Sequence, residues 1–461
     1  MAELERLKGL IGVIFIISDG IRGHVNQSRG VAHFLSALVG CEVYELEVKP
    51  DIKNLSFAGR SGDVKPNRIK KLVYLVRRFY IMKISAKRLA GQGKRRIFRW
   101  LRCADGESLL REAREVLNRL TEGNFASELK ASPDRPAFDE EKSKAVTTAS
   151  TPKKPGAFGM SALFLSAGSL SAPYCLALAR LCGGKCATIM TPSALGVKPF
   201  DFAIVPDHDF PKASKKVLVT LGAPNFVTAE RIKEESQKLS SLYPPRSGIR
   251  IGLLLGGSDG NYQITPKWAK ENAGPLLELA YQGGADLYVT TSRRTSRETE
   301  QVLEALSEKY PCIRYLCIAS RDPYNPVYGI FGIVTHVLAT EDSVSMISEA
   351  ATAGFCTGVL PVEHKKSFKR VLEASALLCV ERKILSPKRL FGIPKFTRAI
   401  DNFCERGLAR WVKDITDLSC LPGKHGLEFC EAKRAAEWIA SNLSAEGMKK
   451  GQAGNSRNTD G

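Results

Sequence analysis

Three things are scarce in this chain of 461 residues, and each removes a class of protein. No apolar run approaches the roughly 18–20 residues that cross a bilayer, so no membrane-spanning helix is expected. The apolar stretch Leu10–Ile17 is short and reads as a strand. Ser18-Asp19-Gly20 after it gives no small-residue cleavage site, so a cytosolic compartment is expected. Twelve cysteines are present, but none forms a C-x2-C pair. Buried free thiols in a reducing compartment, rather than a zinc site or disulfide framework, follow from that pattern. Acidic residues are missing altogether from Val64 to Ala104, where fourteen Lys and Arg stand.

That basic stretch carries most of the formal charge of +20. Its apolar members Leu72, Val73, Val76, Phe79 and Tyr80 recur at helical spacing. A basic amphipathic segment of this kind suits an anionic membrane surface. The plainer alternative is a solvated basic insertion. Phe79, Tyr80, Phe98 and Trp100 interleave with the charges, but no nucleic-acid motif accompanies them, and no nucleic acid is expected as a partner.

What is present is an alternation of apolar runs with helical patterns, the mark of parallel α/β sheets. Strands are expected at 11–17, 42–48, 162–165, 186–190, 202–205 and 217–221, with a helix at 27–38. A polar Ser/Pro/Lys stretch, 125–159, reads as disordered. A charged helix near 229–239 and then Tyr243-Pro244-Pro245-Arg246-Ser247-Gly248 make the best linker. A second alternation follows: strand 249–255, helix 266–281, strand 286–290, helix 296–309, strand 314–317, strand 333–339, helix 343–353 and strand 356–360. Ala409, Trp411, Val412 and Ile415 suggest helices in the last part. The expected plan is an N-terminal domain over 1–226 with an insertion at about 55–160, a linker over 227–248, a second α/β domain over 249–387, helices over 388–444 and a disordered tail over 445–461. The fold class expected is two doubly wound parallel-sheet domains facing a central cleft.

The polar motifs fall at strand ends, where open α/β sheets bind ligands. Asp19, Gly20, Arg22, Gly23, His24 and Gln27 follow the first strand, and His24 is a candidate general base. Pro206-Asp207-His208-Asp209 closes another strand and offers Asp207 and His208 as catalytic candidates, though Asp is also a common turn residue. Gly256, Gly257, Ser258 and Asn261 form a candidate phosphate loop. They lack the Lys-Ser/Thr of a P-loop and the spaced glycines of a dinucleotide fingerprint. Ser292, Arg293 and Arg294 make an anion cradle. Asp342, Ser343, Ser345 and Glu349 line one face at a helix start, where amides suit a phosphate and a carboxylate suits a ribose. For each, a simple turn or helix cap is the competing reading.

These motifs carry a resemblance. The chain resembles the mitochondrial fission family named after elongated mitochondria, with its bacterial members. That family's Asp-Gly-Arg-Pro-Gly-His-x-x-Gln is similar to Asp19 to Gln27, with Ile21 and Arg22 in the Arg-Pro places. Its further motifs resemble Pro206–Asp209, Thr220–Ala223, Thr290–Thr295 and Asp342–Ala350. The likeness covers about 10–50 and 160–365; the basic insertion and much of the last hundred residues depart from it. The family is similar in turn to GT-B glycosyltransferases, and Gly256-Gly257-Ser258 and Ser348-Glu349-Ala350-Ala351 look like their donor loop and ribose-binding helix start.

The resemblance implies sugar transfer, with inversion, from a nucleoside-diphosphate sugar to a membrane-linked lipid or glycan acceptor. The second half would bind the donor and the first half the acceptor, with His24 as first choice of base and Asp207 as second. It implies no cofactor and no metal, since such donors are held by amides and basic side chains. A peripheral position on the cytoplasmic face of a membrane follows. Glu341, with Glu349 beyond it, echoes a pair used by retaining enzymes. Two other functions share these features: a non-catalytic membrane adaptor recruiting a dynamin-related partner, and a sugar-nucleotide epimerase.

Overall fold

The computed structural model describes residues 7–48, 86–121, 161–365, 368–386, 390–412 and 417–455. The expected basic helix around Leu72–Tyr80 and the polar stretch 125–159 lie outside the described residues. The chain forms two compact units: Met1–Val25, Leu35–Ala203 and Ile439–Gly461 make the first, Asn26–Phe34 and Ile204–Trp438 the second.

In the first unit, strand β1 (Val13–Ser18) leads to helix α1 (Arg22–Val39) and strand β2 (Glu42–Glu47). Helices α2 (Lys94–Cys103) and α3 (Glu107–Thr121) follow, then β3 (Ala162–Ala167), α4 (Ala172–Cys182) and β4 (Lys185–Ile189). Strands β5 (Phe202–Pro206) and β6 (Val217–Thr220) complete a six-stranded sheet of order β2-β1-β3-β4-β5-β6. β1 and β3 are buried at every position, so their sequences read as unbroken apolar runs without alternation, as parallel strands covered on both faces do. α4 buries ten of its eleven residues, because the sheet covers one side and α2 and α3 the other.

The basic stretch meets the structure at α2. Ile97 and Leu101 sit in the core with α4, while Lys94, Arg95, Arg96, Arg99 and Arg102 are exposed. Tyr174 ties the arrangement down, its hydroxyl donating to the Ala104 carbonyl at 2.7 Å. In this described part the apolar stripe faces the protein interior, and only the charged face is offered outward.

The second unit opens with α5 (Ala229–Leu242), capped by the Thr228 hydroxyl, and β7 (Arg250–Leu254). β8 (Tyr262–Gln263), α6 (Gly274–Gln282), β9 (Asp286–Thr290), α7 (Arg297–Lys309), β10 (Ile313–Cys317), α8 (Val327–Ile333) and β11 (His336–Thr340) follow. Then come α9 (Val344–Thr352), β12 (Thr357–Leu360), β13 (Glu363–His364), α10 (Phe368–Glu381), α11 (Ile393–Glu405), β14 (Ala409–Trp411) and α12 (Glu431–Asn455). The main sheet runs β10-β9-β7-β11-β12-β14 in parallel pairs, and β8 with β13 forms a small antiparallel one. Two six-stranded parallel sheets therefore give the expected Rossmann-like α/β architecture.

Several local expectations change. The helix expected over 266–281 is broken by a π turn at Ala269–Ala273. Pro275 lacks the N–H that an α-helix would need there, so the hydrogen-bond pattern widens before α6 begins. Ala409 and Trp411 belong to an edge strand paired with β12, not to a helix; over three residues the two periodicities cannot be told apart in sequence. α12 continues to Asn455, past residue 445 where a disordered tail was expected. Residues 204–226, read from sequence as the end of the first half, carry β5 and β6 of the first sheet but group by their contacts with the second unit. The charged helix expected near 229–239 does form, as α5, and it packs on α8 because Gly329 and Gly332 let its backbone approach.

The Thr220–Ala223 motif has a packing explanation. A Cβ on Gly222 would stand 2.5 Å from Ser348 Oγ and 2.6 Å from Phe403 Cζ. Ser348 in turn donates to the Ala223 carbonyl at 2.9 Å. Gly222→Ala should therefore destabilise the protein by about 1–3 kcal/mol, the cost of overpacking. Urea unfolding checks this; an unchanged midpoint would show that α9 can shift freely.

Candidate functional site

Within the first unit the chain turns sharply after β1. Gly20 takes a left-handed conformation, φ +72°, and the Ile21 N–H donates to Asp19 Oδ1 at 3.1 Å. The other carboxylate oxygen of Asp19 lies 2.8 Å from His24 Nδ1. The Asp19 side chain is fully buried, and that of His24 is 26% exposed. Gly168, after β3, makes room for the ring: a Cβ there would lie 2.5 Å from the imidazole. A buried carboxylate thus fixes one ring nitrogen and leaves Nε2 for a ligand, the arrangement of an oriented general base. β1 and β3 flank the point where this sheet's strand order reverses, the usual place for a ligand. Gly23 has open space around it, so packing does not demand a glycine there.

In the second unit the corresponding reversal lies between β7 and β11, since its strands follow the chain order 3-2-1-4-5-6. Three loops meet there. The Gly256 N–H donates to Thr340 Oγ1 at 2.8 Å and the Gly257 N–H to Asp342 Oδ2 at 2.9 Å. Thr340 Oγ1 donates to Asp342 Oδ1 at 2.7 Å, and Arg294 reaches Asp342 Oδ2 at 2.9 Å. Thr295 closes the knot by donating to the Gly256 carbonyl at 2.7 Å. Burial pushes the Asp342 carboxyl above its ordinary range; the Thr340, Gly257 and Arg294 donors work against that.

This geometry gives Gly256 and Gly257 a reason other than the one expected from sequence. Their amides are occupied internally rather than held out to a phosphate. A Cβ would meet Asp342 at 2.1 Å in one case and the Arg294 backbone at 2.3 Å in the other. Ser292 likewise serves its loop, its hydroxyl accepting from the Arg294 N–H at 3.2 Å. Asn261 closes the Asp259 turn through its N–H at 2.7 Å. The groups turned outward are Arg293, which is exposed and makes no hydrogen bond or ion pair among the described residues, and Ser345 in the first turn of α9. The N-cap residue Ser343 makes no side-chain cap bond, which leaves the α9 N-terminus available to an anion.

Glu349 lies in the second turn of α9. Its Oε1 accepts from Asn26 Nδ2 at 2.6 Å, and Asn26 Oδ1 accepts from the Tyr328 hydroxyl at 3.0 Å. Arg231 stacks between Phe226 and Tyr328, its Cζ 4.3 and 4.2 Å from the ring centres. Desolvation raises the Glu349 carboxyl to about 7, against the pull of Asn26 and Arg231. Glu341 takes a different direction: it is buried and pairs with His364 Nε2 at 2.7 Å, so it does not join Glu349.

Asp207, His208 and Asp209 form a 3-10 turn after β5. Asn402 donates to Asp207 at 2.9 Å, and Lys395 pairs with Asp209, so both carboxylates anchor α11. Burial lowers the His208 pKa. The structure thus brings Asp19 to His24, and Gly256, Gly257, Arg294 and Asp342 to one another, while Asp207 and His208 attend to helix packing. Gln27 is buried, and its Oε1 has no hydrogen-bond partner among the described residues. Sequence reasoning missed Asn26, Tyr328, Arg231 and Gly168. Asn26 sat in an unassigned motif position, and nothing near Tyr328 marks it as a partner of a residue 302 places back in the chain.

The fold and these switch-point clusters define a Rossmann-like α/β protein with two six-stranded parallel sheets. The chain belongs to the Mitochondrial fission ELM1 family, whose model matches residues 22–443. No curated protein is matched. Among solved structures, a periplasmic sugar-binding protein from Pseudomonas fluorescens is similar at 11% identity over 87% of this chain and 85% of that one. Its TM-score is 0.18, too low to bear on fold or function.

The raised Glu349 pKa has a stability consequence. An acid with a folded pKa of about 7 against an ordinary 4.5 imposes no penalty below pH 4.5 and a full one above pH 7. Glu349→Gln should therefore match the parent near pH 4.5 and exceed it by on the order of 2–3 kcal/mol at pH 8. Urea midpoints at the two pH values test this; a pH-independent difference would refute the assignment.

Proposed function

We propose that this protein transfers a sugar from a nucleoside-diphosphate donor to a hydroxyl acceptor carried at a membrane surface. The observation that carries the reading is the position of the two clusters, each at the strand-order reversal of its own sheet. His24, held by Asp19, takes the proton of the acceptor hydroxyl through Nε2. The freed oxygen attacks the anomeric carbon as the bond to the diphosphate breaks, with inversion. The departing charge is met by the α9 N-terminus, Ser345 and Arg293. Glu349 accepts hydroxyls of the ribose. Asp342 and Arg294 shape the loops rather than touch the donor.

Isothermal titration with a panel of nucleoside diphosphates tests the reading. Micromolar binding by at least one is expected, weakened about tenfold or more by Arg293→Ala. No binding by any would leave the non-catalytic adaptor. Turnover of a free sugar nucleotide without acceptor would indicate an epimerase. Where transfer is measured, Asp19→Asn should lower kcat by about 10²–10⁴ with little change in donor affinity, as for a lost orienting carboxylate.

The exposed basic face of α2 supports the membrane part of the proposal. It offers Lys94, Arg95, Arg96, Arg99 and Arg102 while Ile97 and Leu101 are buried in the core, so the attraction is mainly electrostatic and salt-sensitive. Vesicles rich in anionic lipid should float the protein at low salt. Arg95→Glu with Arg96→Glu and Arg99→Glu should cut flotation several-fold; equal flotation would reject α2 as the contact.

A further inference from the structure

The carboxylate of Glu349 is held by a residue that no motif singles out. Asn26 belongs by its contacts to the second unit, as does the middle of α1, Asn26–Phe34. Its amide is read by both neighbours in a consistent way: the NH2 donates to the Glu349 carboxylate at 2.6 Å, and the carbonyl accepts the Tyr328 hydroxyl at 3.0 Å. The reverse orientation would set the carbonyl oxygen against the carboxylate, so only this one satisfies the network. Tyr328 is fixed in turn, buried to 4% exposure and stacked at 4.2 Å on Arg231, whose guanidinium donates to the Phe226 carbonyl at 3.2 Å. The network occupies Oε1 of Glu349 alone. Oε2 has no hydrogen-bond partner among the described residues and is the oxygen left to accept from a ligand.

We infer that Asn26, with Tyr328 behind it, is a positioning residue that sets discrimination between ribose and 2′-deoxyribose nucleotides. This rests on the donor reading above. A carboxylate clamped through one oxygen has a fixed direction for the other, so a ribose hydroxyl gains a bond that a deoxyribose cannot make. Released from Asn26, the same carboxylate rotates freely and discriminates poorly. Asn26 touches neither the sugar nor the phosphate in this scheme; it acts through Glu349.

Titration of UDP, GDP and ADP, each beside its 2′-deoxy counterpart, tests the inference on the full chain. For the base that binds, the parent should prefer the ribonucleotide by about tenfold, the worth of one charge-assisted hydrogen bond. Asn26→Ala should bring that preference below about threefold while leaving deoxynucleotide affinity within about twofold. Tyr328→Phe keeps the ring on Arg231 and should give a smaller loss, which covers the case in which Asn26→Ala folds poorly. Undiminished preference in a folded variant of either kind overturns the inference alone. Failure of the parent to bind any nucleotide overturns the donor reading and the inference with it.

Discussion

The buried carboxylate of Asp342 is the point on which the second unit's candidate site depends. It gathers the Gly257 amide, the Thr340 hydroxyl and the Arg294 guanidinium, and so ties the loops after β7, β9 and β11 together. A charge withdrawn from water is tolerated only when donors replace the lost hydration, and here three do. Taking away any one donor would leave a buried, under-compensated anion, which costs more than the pair itself contributes. The glycines at 256 and 257 are part of the same constraint, because no side chain fits between Asp342 and the Arg294 backbone.

That knot explains why the site separates into two kinds of residue. Asp342, Arg294 and Thr340 bond one another, Thr295 bonds the Gly256 carbonyl beside them, and together they make a rigid platform. Arg293, Ser345 and the α9 N-terminus stand outside it with capacity left over. The first unit shows the same division on a smaller scale, with Asp19 buried and fully committed and His24 partly open. In both, a buried carboxylate orders the group that faces a ligand. A rigid support of this kind is what allows loop residues to hold a fixed geometry.

Much of the fold was legible in the chain. Val13–Ile17 and Ala162–Leu165 read as buried parallel strands because an unbroken apolar run of that length has few other uses. Cys182 and Cys186 read as inert thiols, and burial does push them up, to about 11 and about 12. Errors came where local pattern is ambiguous or overridden. Three residues at 409–411 are too few to show a period, and Pro275 disturbs a helix whose apolar spacing continues across it. At the site, the residue types were legible but their partners were not. Asp342 was read as a nucleotide ligand and clamps three loops; Asp207 was read as a catalytic candidate and accepts from Asn402 of α11.

By itself the sequence determined the alternation of strand and helix, the strand ends on which polar residues fall, and the family to which these motifs belong, since all of these are written in local spacing. Only the tertiary structure decided which polar groups are spent and which remain. The pairing of Asn26 with Glu349 spans more than three hundred residues, and that of Gly257 with Asp342 spans eighty-five. A hydrogen bond across such a separation leaves no periodic trace in the chain; it exists because packed helices and sheets bring the two groups to one place and exclude the water that would otherwise satisfy them.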